Sequence, residues 1–326
     1  MNPVLARESR QRFRGRWSWL VITGWVIVVG LLTYLFFVAG RSINLDFFGV
    51  RGPLSGLNQA GKWVFEGMTL VLLTAVAFMV PGLTALSVVG ERQRQTLHLL
   101  QITQVTPFGI VVGKLFSSIG YFLVLILAVI PLLGLPLAFG AIGLVDVLVA
   151  LGMLVLVVAM QASVSIWVSS RARSNRGAVA LSYVLAVAIF FGSFVLMGVE
   201  ALVIRVDIED DGRELVSTWL NPYVAVADAA AFPYDDLVGF FEGPDVPTPM
   251  DPIRLLVSLR QGENAFQGDE IEEAVFGVKR IPGWIATTLV YGAIIALCLW
   301  RASRRVTAPR ALPVRRRRAR VPDASA

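Results

Sequence analysis

A chain of 326 residues that is 56% hydrophobic and only 16% charged, with a mean hydropathy of +0.70, is excluded from the range of ordinary water-soluble domains. Its net charge of +6 is not by itself a nucleic-acid footprint, and no nucleic-acid partner is expected. One cysteine, Cys298, rules out an intrachain disulfide, and one histidine, His98, leaves no Cys/His set for a zinc or haem site.

The chain opens on a basic segment, 1–16, carrying Arg7, Arg10, Arg12, Arg14 and Arg16. Trp17 and Trp19 follow, then an uncharged apolar run to Gly40. A cleaved signal peptide would have an apolar stretch of about 7 to 15 residues, whereas this run reaches the roughly 20 needed to cross a bilayer. It predicts a first transmembrane helix with arginines at the cytoplasmic surface and tryptophans in the interfacial belt.

Five further crossings are predicted at Gly67–Gly90, Leu115–Phe139, Val147–Ser170, Gly177–Val199 and Ile281–Trp300. Pro81-Gly82 in the second, and Pro131 and Pro136 in the third, predict kinks or frayed turns, because proline removes a backbone donor. Gly24, Gly30 and Gly120 are candidates for close helix contacts. The fold class is thus all-α, a membrane protein of six transmembrane helices.

Lysine and arginine concentrate on one side of such a bundle: at the N-terminus, at Arg92, Arg94 and Lys114, at Arg171, Arg173 and Arg176, and from Arg301 to Arg320. By the positive-inside tendency that side is cytoplasmic, with both termini there, and the expected location is the plasma (inner) membrane, multi-pass. Acids fall on the other side, in a loop over 201–280 that includes Asp207, Glu209, Asp210, Asp211, Asp269 and Glu270. Asn221-Pro222 and Asp251-Pro252 each predict a short helix in this extracytoplasmic loop, running to Phe232 and Leu259, on the outer rim or dipping into it. The sixth crossing occupies 281–302, and the tail over 303–326 is basic and expected to be disordered against anionic lipid.

Residues 17–200 hold the first five crossings, and inside them the polar stretch Glu91–Lys114 interrupts two apolar runs. Leu97, Leu99 and Leu100 among polar neighbours predict a short amphipathic helix over Thr96–Gln104 in the interface plane. Thr106 as N-cap and Pro107 at the first helical position restart the membrane helix.

The chemistry the residues allow is narrow. Glu66, Asp146 and Glu200 sit near the ends of their apolar runs, so the intramembrane carboxylates that a proton- or sodium-coupled carrier needs are missing. A phosphate-cradling loop requires G-x-x-x-x-G-K-[ST]. Gly109 to Lys114 has one residue too few between its glycines, and Leu115 stands where the hydroxyl belongs. The chain is therefore not expected to be an enzyme or to bind a cofactor. If it moves a substrate, another polypeptide supplies the energy.

The run Glu91-Arg92-x-x-x-Thr96-Leu97-x-Leu99-Leu100-x-x-Thr103-x-Val105-Thr106-Pro107-x-x-Ile110-Val111-x-Gly113-Lys114 resembles the signature region of ABC-2 type transporter permeases. Asn2-Pro3-Val4 with Arg7, Glu8 and Arg10, the loop Ser169-Ser170-Arg171, and Asn221-Pro222-Tyr223 resemble that family too. The resemblance implies an ABC-2 permease-like half-transporter that pairs with a second copy or a paralogue. It further implies an ATP-binding-cassette ATPase subunit that holds ATP and magnesium, with export of a hydrophobic or amphipathic substrate as the expected direction. Carried over, Glu91, Arg92, Arg94, Thr96, Leu97, Leu99, Leu100, Thr103 and Pro107 would couple to the ATPase, and Arg7, Arg10 and Arg14 would belong to an interfacial helix touching it. His98, between the leucines, departs from anything the resemblance explains and reads as a surface side chain. The alternatives are a membrane-embedded transferase, which would need clustered His, Asp or Glu at the membrane surface, and a non-transporting anchor subunit.

Overall fold

The computed structural model describes residues 16–47, 55–95, 106–140, 142–204, 216–227, 229 and 283–306. Among these the chain is helical with no strand, and six of its segments are long and apolar enough to cross a membrane. In chain order they are α1 (Arg16–Phe47); α2 (Ser55–Thr84) with its short continuation α3 (Val89–Gln93); α4 (Pro107–Ala138); α5 (Leu144–Arg171); α6 (Asn175–Val187), which passes through a wide turn, Ala188–Gly192, into α7 (Ser193–Ile204); and α8 (Gly283–Val306).

The helices start where local chemistry says they should. Thr106 Oγ1 accepts the N–H of Gly109 at 3.1 Å with Pro107 at the first position of α4, and Ser174 Oγ caps α6 through Gly177 N–H at 3.1 Å. Asp146 Oδ2 accepts from Gly143 N–H at 2.9 Å at the start of α5. α4 runs through Pro131 and Pro136 as one helix, whereas α2 ends three residues beyond Pro81.

Several spans are longer than hydropathy predicts. The second apolar span covers Ala60–Gln93 and the third begins at Pro107, so Lys114 lies inside a membrane helix and not ahead of it. The fifth is not one α-helix but is interrupted by the wide turn, and the last runs to Val306.

Packing centres on α5, which touches α2, α4, α6 and α8 and carries an almost unbroken buried sequence from Met160 to Ile166. Lipid tails are as apolar as leucine, so burial of leucine does not drive such helices together; close approach and hydrogen bonds do. This explains why α1 can expose Leu20, Ile27, Leu31 and Leu35 yet hold firmly to α2. Gly67 lets the Phe36 ring lie on the α2 backbone, since a Cβ there would stand 2.5 Å from it. Gly40 plays the same part against Trp63 and Ala60. Gly24 and Gly120, by contrast, have open space around them, and Gly30 meets only the Leu132 side chain at an ordinary 3.9 Å.

Alternating crossings place the ends of α1, α3, α4, α5, α6 and α8 that carry Arg16, Arg92, Lys114, Arg171, Arg176 and Arg305 at one end of the bundle. We call this the α3 end. Arg171 lies over the Trp167 ring at 5.5 Å and Arg304 over Trp300 at 4.0 Å, the pairing of cation and aromatic that anchors helices at a membrane surface.

Candidate functional site

Two polar assemblies interrupt the apolar bundle, one at each end. The first lies where α2 gives way to α3. After Pro81 the helix tightens: Ser87 N–H bonds Thr84 O at 3.0 Å in place of a regular α-helical partner. The N–H groups of Val88 and Val89 are then left without acceptors on their own helix, as at any helix start. Ser169 of α5 supplies the missing acceptor. Its Oγ takes both, at 3.0 Å and 3.1 Å, so α3 is capped by a residue from another crossing.

Arg92 returns the favour to α5. Its guanidinium donates to Ser170 O at 2.9 Å and Ala172 O at 3.3 Å, carbonyls that the end of α5 cannot satisfy itself. A cation there also meets the negative end of the helix dipole. Glu91 faces the third helix, its Oε1 3.0 Å from Lys114 Nζ of α4. Lys114 is only 1% exposed and Glu91 22%. A lysine buried so completely is tolerable because a carboxylate neutralises it; alone it would carry a desolvation cost of several kcal/mol, roughly. Three neighbouring residues, Glu91, Arg92 and the capped Val89, thus fasten one short helix to α4 and α5.

The backbone then turns away. Gln95 has φ of 57°, the left-handed conformation that commonly ends a helix and that costs a non-glycine residue about 1 kcal/mol or more. Arg94 is exposed, and Thr106–Pro107 brings the chain back into α4. Of the residues expected to couple to an ATPase, Glu91, Arg92, Arg94 and Pro107 therefore border this junction. Glu91 and Arg92 are engaged inside the chain, with Lys114 and with the end of α5. Thr96, Leu97, Leu99, Leu100 and Thr103 lie outside the described residues, as do Arg7, Arg10 and Arg14. Ser169 as a cap, and Lys114 as a buried charge, were invisible to residue-by-residue reading. A serine pair closing an apolar run at Ser169-Ser170 was the one available signal.

The second assembly plugs the opposite end. Asn221 Oδ1 accepts from Tyr223 N–H at 2.8 Å and Val224 N–H at 3.4 Å, starting a short helix over 222–227 as the Asn-Pro pair predicts. The side chains of 221–227 are all buried, so this part of the loop dips into the bundle. Tyr223 reaches Thr74 of α2, hydroxyl to hydroxyl at 2.9 Å, among the rings of Phe190, Phe191 and Phe194 at 5.8 to 6.0 Å. The wide turn at Ala188–Gly192 rotates less per residue than an α-helix and so lets neighbouring phenylalanines share one face. Glu200 accepts from Val216 and Ser217 N–H, both at 2.8 Å, and Tyr291 donates to Leu220 O at 3.2 Å. The predicted helix after Asp251-Pro252 lies outside the described residues.

No protein-family model matches the chain, and no curated relative matches it.

Proposed function

We propose that this chain is the permease subunit of an ATP-binding-cassette transporter of the ABC-2 type, driven by a separate ATPase and exporting a hydrophobic or amphipathic substrate. One observation carries the reading: a short helix at the basic end of the bundle is fastened to two other crossings through Ser169, Arg92 and the Glu91–Lys114 pair, immediately before the segment whose sequence resembles the family's coupling region. A push transmitted to the short helix would not stop there. It would reach α4 and α5 through bonds that hold direction, which is what coupling by a contiguous physical network requires. The basic character of this end agrees with a cytoplasmic position and with both termini inside. A second copy or a similar permease would complete the path, and ATP and magnesium would be held by the ATPase.

Leu100→Pro tests the coupling role. Proline inside a helix costs about 3 kcal/mol, enough to abolish a short interfacial helix, while the six crossings keep their own backbone bonds. The variant should insert and assemble normally, yet the reconstituted complex should lose most of its transport-linked ATP hydrolysis. Parental activity in a correctly assembled complex would remove the coupling role from this stretch.

A further inference from the structure

Buried hydroxyls in this bundle follow a rule. Thr33, Thr69, Thr74, Thr84, Ser118 and Ser193 each bond the carbonyl one turn earlier, four residues back. Ser163 and Ser170 do so three residues back. This is how a hydroxyl satisfies itself in a helix with no water beside it. Ser87, Ser117, Ser165, Ser182 and Ser217 break the rule, with no protein partner for their oxygens. Ser165 has a companion one turn away. Gln161 is 0% exposed, and neither its amide nitrogen nor its amide oxygen meets any group of the protein.

A primary amide can donate twice and accept twice. Left wholly unbonded in an apolar interior it opposes folding, and a methionine of similar size would fill the space without that cost. Gln161, Ser165 and Ser169 stand on successive turns of α5, and Ser169 is the residue that caps α3. The unbonded groups therefore begin about 6 Å above the Ser169 cap and end about 12 Å above it, at 1.5 Å per residue. They form a polar track leading inward from the α3 end. Ser163, on the opposite side of the helix, is satisfied by Met160 O at 2.7 Å.

We propose that Gln161 and Ser165 form a water-binding site, filled from the α3 end when α2 parts from α5 at the Ser169 cap, and closed in the conformation described here. Water suits the donor set. Three neighbouring polar groups, the amide nitrogen, the amide oxygen and the serine hydroxyl, give one or two waters the two to four partners each needs. The site does not depend on the transporter reading.

Thiol chemistry tests it, because methanethiosulfonates react with the thiolate, which forms in water and is suppressed in apolar surroundings. The full chain with Cys298→Ser, in membrane vesicles, carries either Ser165→Cys or Met160→Cys and is treated with 2-aminoethyl methanethiosulfonate; labelling is read by mass. Met160 is equally buried at 0% exposure, beside Gln161 in the sequence but on a different face of α5. The Ser165→Cys chain should label at least about tenfold faster than the Met160→Cys chain, and adding Gln161→Met should remove about that advantage by taking away the groups that hold water. Gln161→Met alone should unfold at the same temperature as the parent or higher. Equal labelling of the two faces, or labelling of the Ser165→Cys chain that ignores Gln161→Met, would overturn the site.

Discussion

Lys114 is the side chain in this bundle that most needs its partner. Replacing Glu91 by glutamine takes the carboxylate away from a buried ammonium, whereas replacing Lys114 by methionine as well leaves no charge at the contact. Loss of one partner of a fully buried pair costs about 3–5 kcal/mol; with Glu91 partly exposed, roughly half that is expected here. Glu91→Gln with Lys114 intact should therefore destabilise the chain by about 2 kcal/mol, and Glu91→Gln with Lys114→Met should recover most of the loss. Thermal unfolding of the four chains in lipid nanodiscs measures the cycle. Additive losses would show that the 3.0 Å contact carries no coupling energy. The same residues show what sequence alone conceals. A lysine seven positions into a predicted helix start reads as a loop charge, and only the folded chain brings Glu91 of the preceding crossing against it.

At the scale of elements, α1 and α2 are held by shape. Gly67→Ala places a methyl group 2.5 Å from the Phe36 ring, a separation no real contact sustains, so the ring or the helix must move. Overpacking of this kind costs about 1–3 kcal/mol. α1 should loosen from α2, seen as lower thermal stability and weaker disulfide trapping between cysteines placed at Ala39 and Lys62; Gly24→Ala, in open space, should change neither. Unchanged trapping in the Gly67→Ala chain would mean that the glycine is not what seats α1. The elements also mark how far the sequence could be read. Six apolar runs and the starts at Thr106-Pro107 and Asn221-Pro222 were legible because hydropathy and caps are local properties. The tertiary cap from Ser169, the wide turn at Ala188–Gly192 and the choice of Gly40 and Gly67 over Gly24 and Gly120 were not, because each depends on which neighbour another helix presents.

For the whole molecule, the two polar assemblies divide the labour that the proposed function requires. One end is basic, fastened and adjacent to the segment resembling a coupling region. The other is closed by a dipping helix that ties Tyr223 to Thr74 of α2, so α2 and α3 together reach both assemblies. A movement of α3 against α5 would be felt along α2 toward the plug, in keeping with the shift of packed helices by small steps.

The central claim is that another polypeptide powers this chain, and purification tests it most directly. The tagged full-length chain is extracted from its native membranes in mild detergent, its partners are identified by mass spectrometry, and ATP hydrolysis is measured before and after the partners are stripped away. The account predicts a stoichiometric ATPase carrying G-x-x-x-x-G-K-[ST], ATP turnover by the complex, and none by the stripped chain. ATP turnover by the stripped chain, or a chain recovered intact with no such ATPase bound, would contradict it.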